Sequence, residues 1–200
     1  TGRDMARLPI DPTVSRMLLQ AREEHALTEV LVIASAISVQ DPRERPLEKQ
    51  AEADQMHRQF HDINRDFLAY LKIWRAYHNQ MENSSQNQLR KFCRAHYLSY
   101  MRMREWRDIH AQIKESLREI KGFRFNNEPA AYDAIHRSVI TGLLSSVAKK
   151  TEGNIYQAAR NREVMLFPGS GLFQRDRNRR KEGPEGDGRN KDKTPGWIVA

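Results

Sequence analysis

Three features of the sequence predict a mostly α-helical protein, a helical bundle followed by a small β region. Apolar residues recur at helical spacing from Val14 to Leu117. The charged fraction is high (30%) and the apolar fraction low (38%), as in helices with large solvated faces. After Pro129 the pattern changes to one further helix and then short strand-like pieces around a Pro168-Gly169-Ser170-Gly171 turn.

Residues 2–12 carry turn formers at both ends and read as a strand or loop. Pro12 falls near the start of the first helix, where its missing N–H costs nothing. Val14, Met17, Leu18 and Ala21 then follow the i, i+3, i+4, i+7 rule. Over 27–39 apolar residues lie on nearly every face, which predicts a buried helix, closed by the prolines of QDPRERP at 40–46. Residues 47–60 read as a polar helix with a narrow stripe of Ala53, Met56 and Phe60. Phe67, Leu71, Trp74 and Tyr77 mark the next, with Asp66 or Asn64 as its cap. Ser84 and Ser85 open the longest run, through Leu89, Phe92, Cys93, Tyr97, Tyr100, Met103, Trp106, Ile113 and Leu117. It is expected as one helix stopped by Gly122. A helix over 132–150 and strands over 154–159, 163–167 and 197–200 complete the reading. The Gly-rich, charged segment 175–195 is expected to be a disordered loop. An apolar strand pattern interrupted at Ala200 reads as a piece of a longer chain.

The formal charge is +8, which makes a polyanion the first partner to consider, nucleic acid ahead of anionic lipid. Residues 88–118 hold eight Lys/Arg against three Asp/Glu, and 174–195 hold eight against five. Those two windows account for the whole excess. No run approaches the roughly 20 apolar residues that cross a bilayer, so no membrane is expected. The opening residues carry no signal-peptide pattern. One cysteine, Cys93, excludes an internal disulfide and a Cys-rich zinc site, and cytoplasm is the expected compartment.

No phosphate-cradling G-x-x-x-x-G-K-[ST] loop occurs, so this chain is expected to have no catalytic residues and no cofactor of its own. Asp133-Ala134-Ile135-His136 has the look of a DEAH box, but it falls on a helix with no preceding apolar strand and is read as chance. His57 and His61, with Asp54 and Asp62 nearby, have metal-ligand spacing on one helix face. With no third ligand signalled, a solvated polar face is the preferred reading and no metal is assigned. Cys93, Trp74, Tyr97, Tyr100 and Trp106 read as packing rather than as base-stacking groups. Arg43 and Arg45, held between prolines, point to carboxylates of a neighbouring domain or to phosphate; a plain solvated turn is the other reading. Arg90, Lys91 and Arg94, then Arg102, Arg104 and Arg107, put cations where a helix can track a nucleic-acid backbone.

In this order the motifs resemble bacterial HrpA-type DEAH-box RNA helicases. GRDMARLPIDPTVSRMLLQA (2–21) resembles the family's junction between winged-helix and ratchet domains. LTEVLVIASAISVQDPRERPLEKQAEAD (27–54) is the most specific match. DFLAYLKIW (66–74), FCRAHYLSYMRMREW (92–106), IHRSVITGLLSSVA (135–148) and FPGSGLF (167–173) follow in family order. The departure is a long basic insertion over 174–195.

The resemblance implies the end of a winged-helix domain over 1–12, a helical ratchet-like bundle over 13–122, and a linker helix with an incomplete OB-like domain over 123–200. It also implies an intact parent enzyme, an ATP-dependent RNA helicase using ATP and Mg and moving 3′ to 5′. The motor domains of that parent would lie upstream in the same chain. This part would form one wall of a channel for single-stranded RNA, with DNA as the second candidate. Backbone or domain-interface contacts are then expected from Arg43, Arg45, Arg90, Arg102, Arg104 and Arg107. Lys149, Lys150 and the 168–170 turn with Ser170 are expected on the OB side. The competing reading is a stand-alone helical adaptor that binds an acidic protein; a small hydrolase built around His57 and His61 is a distant third.

Overall fold

The structure is a computed structural model and describes residues 10–60, 66–166 and 195–199. The chain divides into two compact units, one through Gly142 and one from Leu143. The first is helical and the second is a small antiparallel sheet, so the protein is mostly α, as the hydrophobic periodicity predicts.

Helix α1 (Pro12–Glu23) begins where Asp11 accepts a hydrogen bond from the Thr13 amide at 2.7 Å, with proline in the first turn. His25, in the left-handed region (φ 53°), turns the chain into α2 (Leu27–Ile37). Helix α2 is buried along almost its whole length, which explains a sequence apolar on every face. Its buried Glu29 accepts hydrogen bonds from Asn126 Nδ2 (2.9 Å) and the Ala130 amide (3.2 Å). Asn126 Oδ1 in turn accepts from the Thr28 amide, so one side chain fastens the 121–130 loop to the start of α2.

A 3-10 turn (Leu47–Lys49), α3 (Gln50–His57) and a second 3-10 turn (Arg58–Phe60) stand where the sequence predicts a single helix. Helix α4 (Asp66–Glu82) follows, then α5 (Gln86–Ala95), α6 (Tyr100–Glu119) and α7 (Tyr132–Gly142). Trp106 of α6 is fully buried, and its Nε1–H donates to Val32 O (3.1 Å) and Ser35 Oγ (3.0 Å) of α2. Trp74 of α4 packs against Trp106, with ring centroids 4.9 Å apart. Helix α7 lies on α1, joined by the Arg137–Glu24 pair (2.7 Å). A Cβ on Gly142 would sit 2.5 Å from the Thr13 carbonyl oxygen, so only glycine permits this approach.

The expected single helix through residues 84–117 is corrected: it is two helices, broken at 96–99. Tyr97 adopts φ 52°, and the Leu98 amide bonds back to Cys93 O (2.9 Å) while the Tyr97 amide reaches Arg94 O (3.3 Å). That is a Schellman stop built without glycine, at a cost of about 1–2 kcal/mol for the left-handed tyrosine. Tertiary bonds hold it there. The Ser99 amide donates to Pro42 O (2.7 Å), the Glu44 amide donates to Tyr97 O (2.8 Å), and Arg43 and Leu98 form an isolated β-bridge.

The helix expected over 132–150 is also shorter than read, ending at Gly142. Residues 147–152 form β1 (Val147–Glu152), a strand where the sequence predicts helix. It pairs antiparallel with β2 (Ile155–Ala158) and β4 (Trp197–Val199), and β2 pairs with β3 (Arg162–Met165), giving the order β3-β2-β1-β4. Ala148, Tyr156, Ala158 and Leu166 form its core, with Val164 and Ile198 against them. The 168–170 turn and the 174–194 part of the basic insertion lie outside the described residues.

Candidate nucleic-acid interface

The QDPRERP turn leaves α2 and runs antiparallel to the 97–99 break, and its polar groups are taken up inside the unit. Arg43 Nη2 meets Asp41 Oδ2 at 2.6 Å, and its guanidinium lies 5.5 Å from the centre of the Tyr70 ring. Burial pushes the Asp41 carboxyl up, but the hydrogen bonds and charge of Arg43 outweigh it and hold the group below its ordinary value. Arg45 makes a two-point pair with Asp54 at 2.7 and 2.8 Å. Both arginines have carboxylate partners in this unit, Arg43 with Asp41 of the turn and Arg45 with Asp54 of α3, nine residues further on.

His57 corrects the solvated-face reading. It is buried, and its ring Nε2 lies 3.0 Å from Tyr97 O, so the nitrogen carries the proton and donates. Burial holds this imidazole below its ordinary value, against the pull of that hydrogen bond. His57 therefore braces the break between α5 and α6. His61 and Asp62 lie outside the described residues, and among the described residues no cluster of three metal-ligating side chains occurs.

Six of the eight cations of α5 and α6, three on each helix, separate into two groups. On α6, Arg102 is half-buried and donates to Asp41 O at 3.0 Å. Arg107 is half-buried, paired with Asp108 at 3.1 Å and in contact with Met81 Sδ at 3.6 Å. Arg104 is half-buried beside Glu105 and Asp108 in a shallow groove. Arg102 and Arg107 thus have partners within the bundle, and Arg104 lines the groove.

On α5 the picture reverses. A capping box between Ser85 and Gln88 starts the helix, Leu89 and Cys93 bury one face, and Asn87, Arg90, Lys91 and Arg94 lie exposed on the other. At about 100° per residue these four fall within roughly a 100° arc. Helix α5 contains no acidic residue. Among the described residues neither Lys91 nor Arg94 has an ion-pair partner, and Arg90 rests over the Tyr100 ring at 5.1 Å. Cations at i, i+3 and i+4 repel one another, so folding gains nothing from grouping them. The signal in the sequence is the absence of acids at those spacings, which applies to Lys91 and Arg94 as much as to Arg90.

In the sheet unit, Lys149 is exposed on β1 and Lys150 is half-exposed next to it. Ser170 lies outside the described residues.

The helical unit's residues 11–98 match the helicase-associated domain family HA2, described as ratchet-like. That match defines the class of domain. The chain is 44% identical over 175 residues to ATP-dependent RNA helicase HrpA of Escherichia coli, covering 87% of this chain and 13% of that protein. The HrpA homolog of Haemophilus influenzae gives the same identity and the same shares. Pre-mRNA-splicing factor ATP-dependent RNA helicase DEAH10 of Arabidopsis thaliana is 28% identical over 182 residues, 86% of this chain and 25% of that protein. Over most of its length the chain is similar to these HrpA helicases, and it spans 13% of the length of the HrpA relatives it matches.

Proposed function

We propose that this chain is the RNA-gripping accessory part of an ATP-dependent RNA helicase. The exposed face of α5 holds the backbone of a single strand while motor domains elsewhere in the same protein hydrolyse ATP with Mg. The observation that carries this reading is the group Arg90, Lys91 and Arg94, an uncompensated cationic face within a domain whose relatives are named RNA helicases. Direction of travel 3′ to 5′, a channel wall and a cytoplasmic setting belong to the same proposal. So do a winged-helix end over 1–12 and an OB-like identity for the sheet unit. Among the described residues no helix is long and apolar enough to cross a membrane. Arg43, Arg45, Arg102, Arg104 and Arg107 contribute by holding the bundle in shape, and Lys149 and Lys150 by adding charge to the second unit.

The test is the affinity of the chain for a labelled single-stranded RNA measured across a salt series. Each phosphate contact on a single strand adds about 0.7 to the slope of log affinity against log salt. Three contacts give a slope of about −2. Binding that is absent at low salt, or that does not respond to salt, overturns the proposal.

A further inference from the structure

The sequence of α5 and α6 also fits a second shape. No glycine or proline occurs between Ser84 and Lys121, and the apolar spacing runs straight through the break, as in one continuous helix. In that helix Tyr97 O would accept from the Met101 amide, and the Ser99 amide would donate to Ala95 O. The structure gives both groups to another segment instead. Tyr97 O accepts from the Glu44 amide (2.8 Å) and from His57 Nε2 (3.0 Å), and the Ser99 amide donates to Pro42 O (2.7 Å). Arg102, just past the break, donates to Asp41 O (3.0 Å), and the Tyr97 hydroxyl lies beside Glu52 of α3. Helical bonds are thus exchanged for tertiary ones, while Tyr97 sits at φ 52°, a conformation tyrosine does not adopt unaided.

The segment on the other side is built to hold still. Two prolines stiffen the 41–46 turn, Arg43 is paired with Asp41, and Arg45 ties the turn to Asp54 of α3. We infer that this turn and His57 form a latch on the elbow at Tyr97. Engaged, the latch holds α5 off the line of α6, with Leu89 and Cys93 buried. Released, α5 straightens onto the start of α6 and carries Arg90, Lys91 and Arg94 with it. The latch therefore sets where the cationic face stands, and His57 is a positioning residue that acts through Tyr97. Its functional meaning rests on the reading of that face as the gripping surface; the two shapes of the elbow do not depend on it.

The test reads a distance in the 200-residue chain. Spin labels are placed at the exposed positions of Gln86→Cys and Ala111→Cys, with Cys93→Ala in every sample. One straight helix sets these positions about 38 Å apart, 25 residues at 1.5 Å each, and the bent form brings them nearer. The chain without further change is expected to give a single distance below that value. His57→Leu removes a donor from Tyr97 O, and Tyr97→Ile puts a β-branched residue where the left-handed region is required. Both are expected to add a second population near 38 Å. His57→Gln, whose side-chain amide donates in place of the ring, and Tyr97→Gly, at ease at this φ, are expected to keep the single shorter distance. A merely structural role would lower the melting temperature without creating the long population. A single short distance in folded His57→Leu and Tyr97→Ile overturns the inference. So does loss of the cooperative melt in both, which would make the elbow part of the core. If the long population appears but the chain binds no single-stranded RNA at low salt, the latch stands and the gripping reading of α5 falls. If RNA binds and neither variant shifts the distance, the gripping reading stands and the latch falls.

Discussion

His110 of α6 offers a quantitative test of the packing between α4 and α6. Its ring stacks on Trp74, centroids 4.6 Å apart, with His78 and Lys114 nearby. Burial, followed by the neighbouring cations, pulls its pKa down from 6.5 to about 4. A base whose folded value is depressed is neutral in the fold and takes up a proton more readily when unfolded. Its stability contribution is therefore complete above pH 6.5 and lost as pH falls toward 4. Taken in full, a fall from 6.5 to about 4 corresponds to about 3 kcal/mol. Attraction between an imidazolium and the Trp74 face returns about 1 kcal/mol. A loss of about 2 kcal/mol between pH 6.5 and 4 is thus expected, or a fall in melting temperature of about 4–8 °C. His57 and His78 are held low by burial too and act in the same direction, so the informative quantity is the difference between wild type and His110→Phe. Carboxylates held low by arginines, such as Asp41 and Asp54, lose their contribution only below their ordinary value of 3.8, outside this window. Urea unfolding at half-unit steps from pH 7 to 4 measures the slope. An identical slope in His110→Phe, or stability that rises as pH falls from 6.5 to 5, would refute the reasoning.

Three further substitutions probe the framework. Gly142→Ala places a methyl 2.5 Å from the Thr13 carbonyl oxygen and 2.7 Å from Met17 Cγ. It should cost about 2–3 kcal/mol by overpacking despite alanine's better helix propensity, read as a lower melting temperature. Trp106→Phe removes the donor to Val32 O and Ser35 Oγ and leaves a void, for an expected loss of about 2–3 kcal/mol in denaturant unfolding. Asn126→Ala leaves the buried Glu29 with one partner fewer and frees the 121–130 loop. It should cost about 1–3 kcal/mol and raise amide exchange at Thr28, while Asn126→Asp should be worse because it sets a second carboxylate against Glu29.

The helices were legible wherever the amphipathic stripe was continuous. Val14, Met17, Leu18 and Ala21 are all buried as their spacing requires, and α2 is buried on every side because its sequence is apolar on every side. The break at 96–99 was not legible. Tyr97 in the left-handed region is stabilised by Pro42, Glu44 and His57, residues 40 to 55 positions away, and no glycine or asparagine marks the stop. The helix over 132–150 was overextended because Leu143 and Leu144 continue its apolar spacing, while the close contact that requires Gly142 is visible only in the packed structure. The cations were legible as a group but not one by one. Arg102 and Arg107 find partners through packing, whereas Arg90, Lys91 and Arg94 stay exposed on a helix without acids.

The division between structural and gripping arginines is most directly tested by two charge-matched variants of the chain. Arg90/Lys91/Arg94→Ala and Arg102/Arg104/Arg107→Ala each remove three positive charges, so any effect of net charge alone is equal. With labelled single-stranded RNA across a salt series, the α5 variant is expected to bind far more weakly and to lose about 2 units of salt slope, with its melting temperature kept. The α6 variant is expected to melt earlier and to keep its slope. A slope that falls equally in both, or only in the α6 variant, would contradict the assignment of backbone contact to α5.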